Sequence, residues 1–133
     1  MLPFSVVFKP GVPAHTQVAY AARKAIVAGQ LKPGDRFPSV RVLSQELKIN
    51  PNTAHKVVAR LVEEGLLEVR PGVGTLVTSS TQVTKADRQK VLGDPLEQVV
   101  VAARQMNLSL DEVQAALTRH WSRLDPDPKS EGD

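Results

Sequence analysis

Polar side chains that can hydrogen-bond to nucleic acid are concentrated in the first half of the chain. Arg41 stands in one short segment, and Asn52, Thr53 and Lys56 stand in the next. Asparagine can form two hydrogen bonds with the edge of adenine, arginine and lysine can bind guanine or phosphate, and threonine can bind phosphate. These residues are therefore candidates for contact with double-stranded DNA.

Catalytic and metal-binding chemistry has little support in the sequence. The chain has no cysteine, and its three histidines, His15, His55 and His120, lack the spacing of metal ligands. The sequence also has no glycine-rich phosphate loop and no nucleophile motif. We therefore predict that the protein is not an enzyme and that it needs neither a metal ion nor a cofactor.

The charged residues are distributed unevenly along the 133 residues. Residues 1–78 contain ten Lys and Arg against five Asp and Glu, and residues 79–133 contain seven against nine. This difference favours nucleic-acid contact by the first part and protein contact by the second, with random scatter of charge as an equal alternative. No apolar stretch approaches the roughly 18 residues that span a membrane. We predict a soluble, cytoplasmic protein of one compact domain with at most a small addition.

Two predicted helices separated by a three-residue turn must position the polar residues. The first is predicted over Val40–Leu47, with Ser39 as the N-cap that accepts a hydrogen bond from the first turn. The second begins at Asn50 and Pro51, because asparagine is a strong N-cap and proline is favoured at the next position. This spacing is typical of a helix-turn-helix unit.

In the second of these helices, the polar residues lie opposite the predicted core. Its apolar residues recur at helical spacing, namely Ala54, Val57, Val58, Leu61 and Val62. At about 100° per residue, Asn52 and Lys56 fall on the opposite face, with His55 and Arg60 on its flanks. Asn50 has the alternative of being only a helix cap, and His55 that of being a solvated side chain.

A hairpin and an N-terminal segment complete the first domain. Residues 66–70 and 75–78 are predicted strands, and residues 71–74, which contain two glycines, join them into a wing. A third strand is predicted over residues 4–8, and a helix over residues 16–28, ended by Gly29 as a left-handed cap.

The C-terminal part is predicted to be helical and to pair with a second copy. Apolar stripes recur over residues 96–106 and 110–124, and Ser109 and Glu112 have the spacing of a capping box. Such short helices cannot cover their own stripes, so a homodimer is expected, although folding back on the first domain is the alternative. The candidate dimer contacts are Leu96, Val99, Val100, Ala103, Met106, Leu110, Val113, Leu117 and Trp121.

The predicted fold class is mainly α with a small β-hairpin. A winged helix-turn-helix domain spans residues 1–78, a linker or the start of a helix spans 79–95, a helical dimerisation segment spans 96–124, and a flexible tail spans 125–133. If a small-molecule effector exists, it must bind at the dimer of C-terminal helices, where Trp121 could stack on it, or between that dimer and the winged domain. Dimer or core contact is the alternative for this residue.

Two stretches, GDRFPSVRVLSQEL and INPNTAHKVVARLVEEGLLEVRPGVGTLV, resemble the DNA-binding domain of GntR-family bacterial transcription regulators. The stretch from Asn107 to Val113 is similar to the YtrA-type subgroup. The resemblance implies a third helix in the major groove and a wing against the minor groove of a near-palindromic operator. With the flanking and wing residues included, the candidate DNA-binding residues are Ser39, Arg41, Asn50, Asn52, Thr53, His55, Lys56, Arg60, Arg70, Gly72 and Gly74.

The function implied is that of a sequence-specific, homodimeric DNA-binding transcription regulator, with a repressor favoured. The alternative is a winged-helix protein-interaction module without DNA binding. It is supported by the wing, where Pro71 and Val73 stand at positions that are often basic in this family. Neither the operator nor an effector can be named from the sequence.

Overall fold

A computed structural model describes residues 2–79 and 83–126 of the chain, and the predicted fold class is confirmed. Six helices and a two-stranded antiparallel sheet are described in these ranges. In chain order they are α1 (Ala14–Val27), α2 (Val40–Leu47), α3 (Pro51–Glu63), β1 (Leu67–Arg70), β2 (Gly74–Val77), α4 (Lys85–Leu92), α5 (Asp94–Gln105) and α6 (Leu110–Arg123). None of these helices combines the length and the apolar character that crossing a membrane requires.

The core of the N-terminal part is built from α1, α2, α3 and the hairpin. Small residues on α1, among them Ala19 and Ala22, let α3 pack closely against it. The completely buried side chains include Val18, Leu43, Val57 and Leu61, and Leu67 and Val77 from the hairpin are nearly so. Val58 and Val62 pack against this core and remain partly exposed.

The predicted starts of α2 and α3 are confirmed. The hydroxyl group of Ser39 accepts a hydrogen bond from the Val42 amide at 3.2 Å, and the side chain of Asn50 accepts one from the Asn52 amide at 2.8 Å. Three residues separate the helices, and the first of them, Lys48, has a left-handed φ of 55°. This turn sets the direction of α3 relative to α2.

The hairpin has a third partner beside β2 that the sequence did not predict. Leu67 pairs with Val77 and Arg70 with Gly74, so the observed strands differ by one residue from those predicted. On the other edge of β2, the amide of Phe37 donates to the Thr75 carbonyl at 2.8 Å, and the amide of Val77 donates to the Asp35 carbonyl at 2.9 Å. The segment before α2 is thereby tied to the base of the wing.

The strand predicted over residues 4–8 is wrong. These residues have no strand conformation: the segment around Phe37 occupies the edge of β2, and residues 4–8 meet that segment through a side chain and not through backbone pairing. Phe4 is instead buried and stacks on Phe37, with ring centroids 6.0 Å apart. The side-chain amide of Gln17 donates to the carbonyls of Lys9 and Val12, both at 2.9 Å, and holds the loop that follows.

The helices of the C-terminal part bury very little of their apolar surface. The capping box of Ser109 and Glu112 is confirmed, and Thr84 and Asp87 form a second one at the start of α4. The hydrogen bond from the Thr84 amide lowers the pKa of the Asp87 carboxyl group. Ala103 is the one residue of α4, α5 and α6 that is fully buried.

The chain divides into two compact units, residues 1–81 with 125–133, and residues 82–124. Between them, residues 80–82 of the predicted linker lie outside the described residues, as do residues 127–133 of the predicted tail. Within the predicted linker range, residues 85–92 form α4, and α5 begins at Asp94.

Candidate nucleic-acid interface

The first two turns of α3 present four polar side chains away from the core. Asn52, His55 and Lys56 are exposed, and Thr53 is half-buried. No side-chain hydrogen bond or ion pair of these four residues occurs within the described residues. Their donors and acceptors are therefore available to a ligand that meets this face of the helix. Because Ala54, Val57 and Leu61 hold the opposite face in the core, packing keeps this surface turned away from the core.

Asn50 has an observed role as the N-cap of α3. Its side-chain oxygen is already used by the Asn52 amide, which leaves its NH₂ group as the free donor. Pro51 has no N–H and the amides of Asn52 and Ala54 are bound to Asn50, so the Thr53 amide is the unpaired one in this turn. Together with the positive end of the helix dipole, it favours phosphate.

We expect Asn50→Ala to lower the free energy of unfolding by about 0.5–2 kcal/mol, because the Asn52 amide loses its acceptor. Asn50→Ser can accept the same hydrogen bond and should retain most of the stability. Urea unfolding followed by circular dichroism measures both variants. An equal loss in the two would contradict the capping role.

The start of α2 presents Ser39 and Arg41. The Ser39 hydroxyl caps the helix, and Arg41 is exposed in its first turn, with no partner for its guanidinium group among residues 2–79 and 83–126. Arg36, just before α2, is also exposed. Two free guanidinium groups therefore stand near the start of this helix.

The wing tip has little free positive charge. Arg70 is bound to Glu68 at 2.9 Å, although both side chains remain largely exposed. The turn is shaped by Gly72 and Gly74, with φ of 77° and 122°, values that other residues rarely adopt. The exposed side chain of Val73 lies between them. The tip therefore presents backbone groups and an apolar side chain, and little free positive charge.

Arg60 differs from the other candidates because its guanidinium group is bound within the protein. It donates to the Glu64 carboxylate and to the Thr16 hydroxyl, each at 3.4 Å. Glu64 also receives two hydrogen bonds from Arg23 of α1, at 3.0 and 2.9 Å. The sequence analysis did not identify Arg23 or Glu64, since 41 residues separate them and no local pattern links them.

The candidate dimer contacts form an apolar surface on α5 and α6. Ala103 is buried and Val113 is half-buried, whereas Met106, Leu110 and Trp121 are each about 70% exposed. The remaining candidates, Leu96, Val99, Val100 and Leu117, are exposed as well. A groove beside Ala103 is lined mainly by apolar residues where α5 turns into α6. Single exposed apolar residues are ordinary, but a continuous set of this size is typical of an interaction surface.

No group of three or more His, Asp or Glu side chains is arranged to hold a metal ion within the described residues. The imidazole of His15 is unusual because its Nδ1 atom is buried without a hydrogen-bond partner. It lies at the start of α1, apart from the polar face of α3.

Comparisons with known proteins agree with this geometry. A family model described as bacterial regulatory proteins of the gntR family matches residues 14–77, which run from α1 to the end of the hairpin. The chain is 27% identical over 106 residues to the HTH-type transcriptional repressor YtrA of Bacillus subtilis (strain 168), covering 79% of this chain and 82% of that protein.

Solved structures extend the similarity to both units. A structure of YtrA from Sulfolobus acidocaldarius, a GntR-family transcription factor, is 29% identical, with a TM-score of 0.52 over 89% of this chain and 96% of the other. AraR(DBD) in complex with operator ORX1 is 28% identical, with a TM-score of 0.51 over 56% of this chain and 95% of the other.

Proposed function

Because the chain carries a helix-turn-helix DNA-binding domain of the GntR family in residues 14–77, we propose that it is a homodimeric transcriptional repressor acting in the cytoplasm. In this proposal it binds a near-palindromic operator with α3 in the major groove and the hairpin against the minor groove. The observation that carries the proposal is the exposed polar face of α3, whose side chains have no internal partners within the described residues.

Some side chains of α2 and α3 are suited to hydrogen-bonding with bases, and others are suited to binding phosphates. The amide of Asn52 can bind adenine through two hydrogen bonds, and Lys56 can bind guanine or phosphate. Ser39, Thr53 and the free amides at the two helix starts are suited to phosphate. Arg41 adds a positive charge beside them. His55 stands on the flank of the same face.

The wing contributes less to affinity in this proposal than the helices do. Gly72 and Gly74 let the backbone approach the minor groove closely, and Arg70 must exchange Glu68 for a phosphate before it adds charge. The exchange is cheap, because an exposed ion pair contributes at most about 1 kcal/mol.

The dimer is supported by the apolar surface of α5 and α6, which a second copy would cover. In a dimer with two-fold symmetry, the two α3 helices are expected to meet half-sites about one helical turn apart, roughly 34–36 Å. Similarity to YtrA of Bacillus subtilis, named a transcriptional repressor, favours repression over activation. Similarity to AraR(DBD), solved with operator ORX1, favours operator DNA as the ligand.

Binding is expected to weaken steeply as salt rises. If Arg41 and Lys56 of both copies contact phosphates, four neutralised charges give a slope of about −3.6 for log affinity against log salt, or about 100-fold between 50 and 200 mM. Fluorescence anisotropy with a labelled operator duplex at several salt concentrations measures this slope. A flat dependence would contradict phosphate binding by these residues.

Selection from a pool of random DNA duplexes tests the proposed function and also supplies the operator. The full chain should enrich a sequence with two related half-sites, and the same sequence should bind in a gel-shift assay. Enrichment of a single half-site would contradict the homodimer on DNA. No enrichment would favour the protein-interaction module that lacks DNA binding.

A further inference from the structure

Thr16 and Arg23 of α1 and Arg60 and Glu64 at the end of α3 form a hydrogen-bonded cluster, here called the α1–α3 polar cluster. The Nε and Nη2 atoms of Arg23 donate to Oε1 and Oε2 of Glu64 at 3.0 and 2.9 Å. Arg60 donates through Nε to Oε2 of Glu64 and through Nη1 to Oγ1 of Thr16, each at 3.4 Å. One carboxylate thus binds two guanidinium groups from two helices.

The geometry makes the bond between Arg23 and Glu64 the strong member of this cluster. Two parallel N–H···O bonds between a guanidinium group and a carboxylate fix distance and orientation together. Both side chains are only about one-third exposed, at 31% and 33%, so water and salt screen the pair less than they screen a fully exposed one. The hydrogen bonds of Arg60 to Glu64 and Thr16 are weaker, because their donor–acceptor distances are longer.

The cluster lies at the opposite end of α3 from the polar face proposed to read DNA. The core between α1 and α3 consists of Val18, Ala19, Ala22, Val57 and Leu61, whose non-directional contacts resist separation of the helices more than rotation or tilt. A helix of 13 residues is about 20 Å long. A tilt of a few degrees at Glu64 therefore moves the first turn by about 1 Å, enough to misalign hydrogen bonds to bases.

We propose that Arg23 and Glu64 are positioning residues that fix the tilt and rotation of α3 for DNA recognition, and that Glu64 keeps Arg60 from serving as a phosphate contact. This inference rests on the proposed function. It assigns Arg60, on the α1 side of α3, to the protein's internal network and leaves the charge that DNA meets to Arg41 and Lys56.

The two roles differ in how a mutation changes the salt dependence of binding. Loss of a phosphate contact in both copies reduces the slope of log affinity against log salt by about 1.8. Loss of a positioning residue weakens binding while the number of phosphate contacts, and hence the slope, stays the same. The slope therefore separates the two roles for Arg23 and Arg60. Glu64→Gln also releases Arg60, so its positioning role is judged from the loss of affinity.

The test uses the full chain and a labelled duplex of the sequence that the unmodified chain enriches from random DNA. Arg23→Ala and Glu64→Gln should each weaken binding about tenfold, and the double variant should be no weaker than the poorer single one, because both remove one interaction. Arg23→Lys should recover part of the loss. Arg60→Ala should lose less affinity, with its slope unchanged. Lys24→Ala, on the same helix, is the matched control, and Lys56→Ala should reduce the slope.

Each variant is measured well below its unfolding temperature, with circular dichroism to verify folding. Variants that have a lower unfolding temperature but bind DNA with full affinity would show that the cluster only stabilises the fold, and would overturn the inference. A slope reduced by Arg60→Ala would overturn the part that concerns Arg60. If the unmodified chain enriches no sequence, the proposed function fails and this inference fails with it, whereas enriched DNA bound equally by all variants refutes the inference alone.

Discussion

Replacing both Arg41 and Lys56 with alanine is expected to reduce operator affinity by at least about 700-fold. Each lost base or phosphate contact costs about 1–3 kcal/mol, a factor of ten corresponds to about 1.4 kcal/mol, and a dimer loses each contact twice. The two residues stand on different helices, so their effects should add approximately. Anisotropy titrations of the single and double variants on the enriched duplex measure the loss.

Neither substitution should alter folding, because both side chains are exposed and have no partner within the described residues. A matched control removes two lysines from the same unit, Lys24 and Lys32. Lys24 follows Arg23, which contacts the far end of α3, and Lys32 precedes the segment that pairs with the base of the hairpin. Both therefore lie away from the start of α3. Full affinity in the Arg41 and Lys56 double variant would refute the assignment of this face to DNA.

The starts of the helices could be predicted because their signals are local. Ser39, Asn50 and Ser109 each accept a hydrogen bond from an amide two or three residues ahead, so a short window of sequence contains both partners. The capping box at Thr84 belongs to the same kind of signal, although it was not predicted. The face of α3 followed from helical periodicity alone: Ala54, Val57 and Leu61 of the predicted stripe are buried, and Val58 and Val62 are partly buried.

Contacts between distant parts of the chain could not be predicted in this way. Residues 4–8 have the composition of a strand, but the segment around Phe37 pairs with β2 in their place, and Phe4 is held by stacking on Phe37. The binding of Arg23 to Glu64 depends on how α1 packs on α3. Side-chain type alone also could not separate Arg41, which is free, from Arg60, which is bound by Glu64 four residues on and by Thr16 of α1.

Introducing a charge into the apolar surface of α6 provides the sharpest test of the homodimer. Leu117→Glu places a carboxylate where the side chain is 56% exposed in one copy, so the folding of that copy should change little. In a dimer the same carboxylate would be buried without a partner, which is costly. We expect the variant to be monomeric by sedimentation at concentrations where the unmodified chain is dimeric.

The loss of the dimer should reduce operator affinity by about 10²–10⁴-fold, because the second half-site would no longer be bound at high effective concentration. The matched control is Ala115→Glu, which introduces the same side chain on the same helix, about 160° from Leu117 and away from the apolar stripe. It should remain dimeric and bind DNA normally.

Because the DNA-reading residues all precede residue 80, a single half-site should still bind the Leu117 variant weakly, with the salt slope of one copy. A dimeric Leu117 variant with full affinity would place the contact between copies elsewhere, whereas a monomeric variant with full affinity would show that one copy suffices to bind the operator.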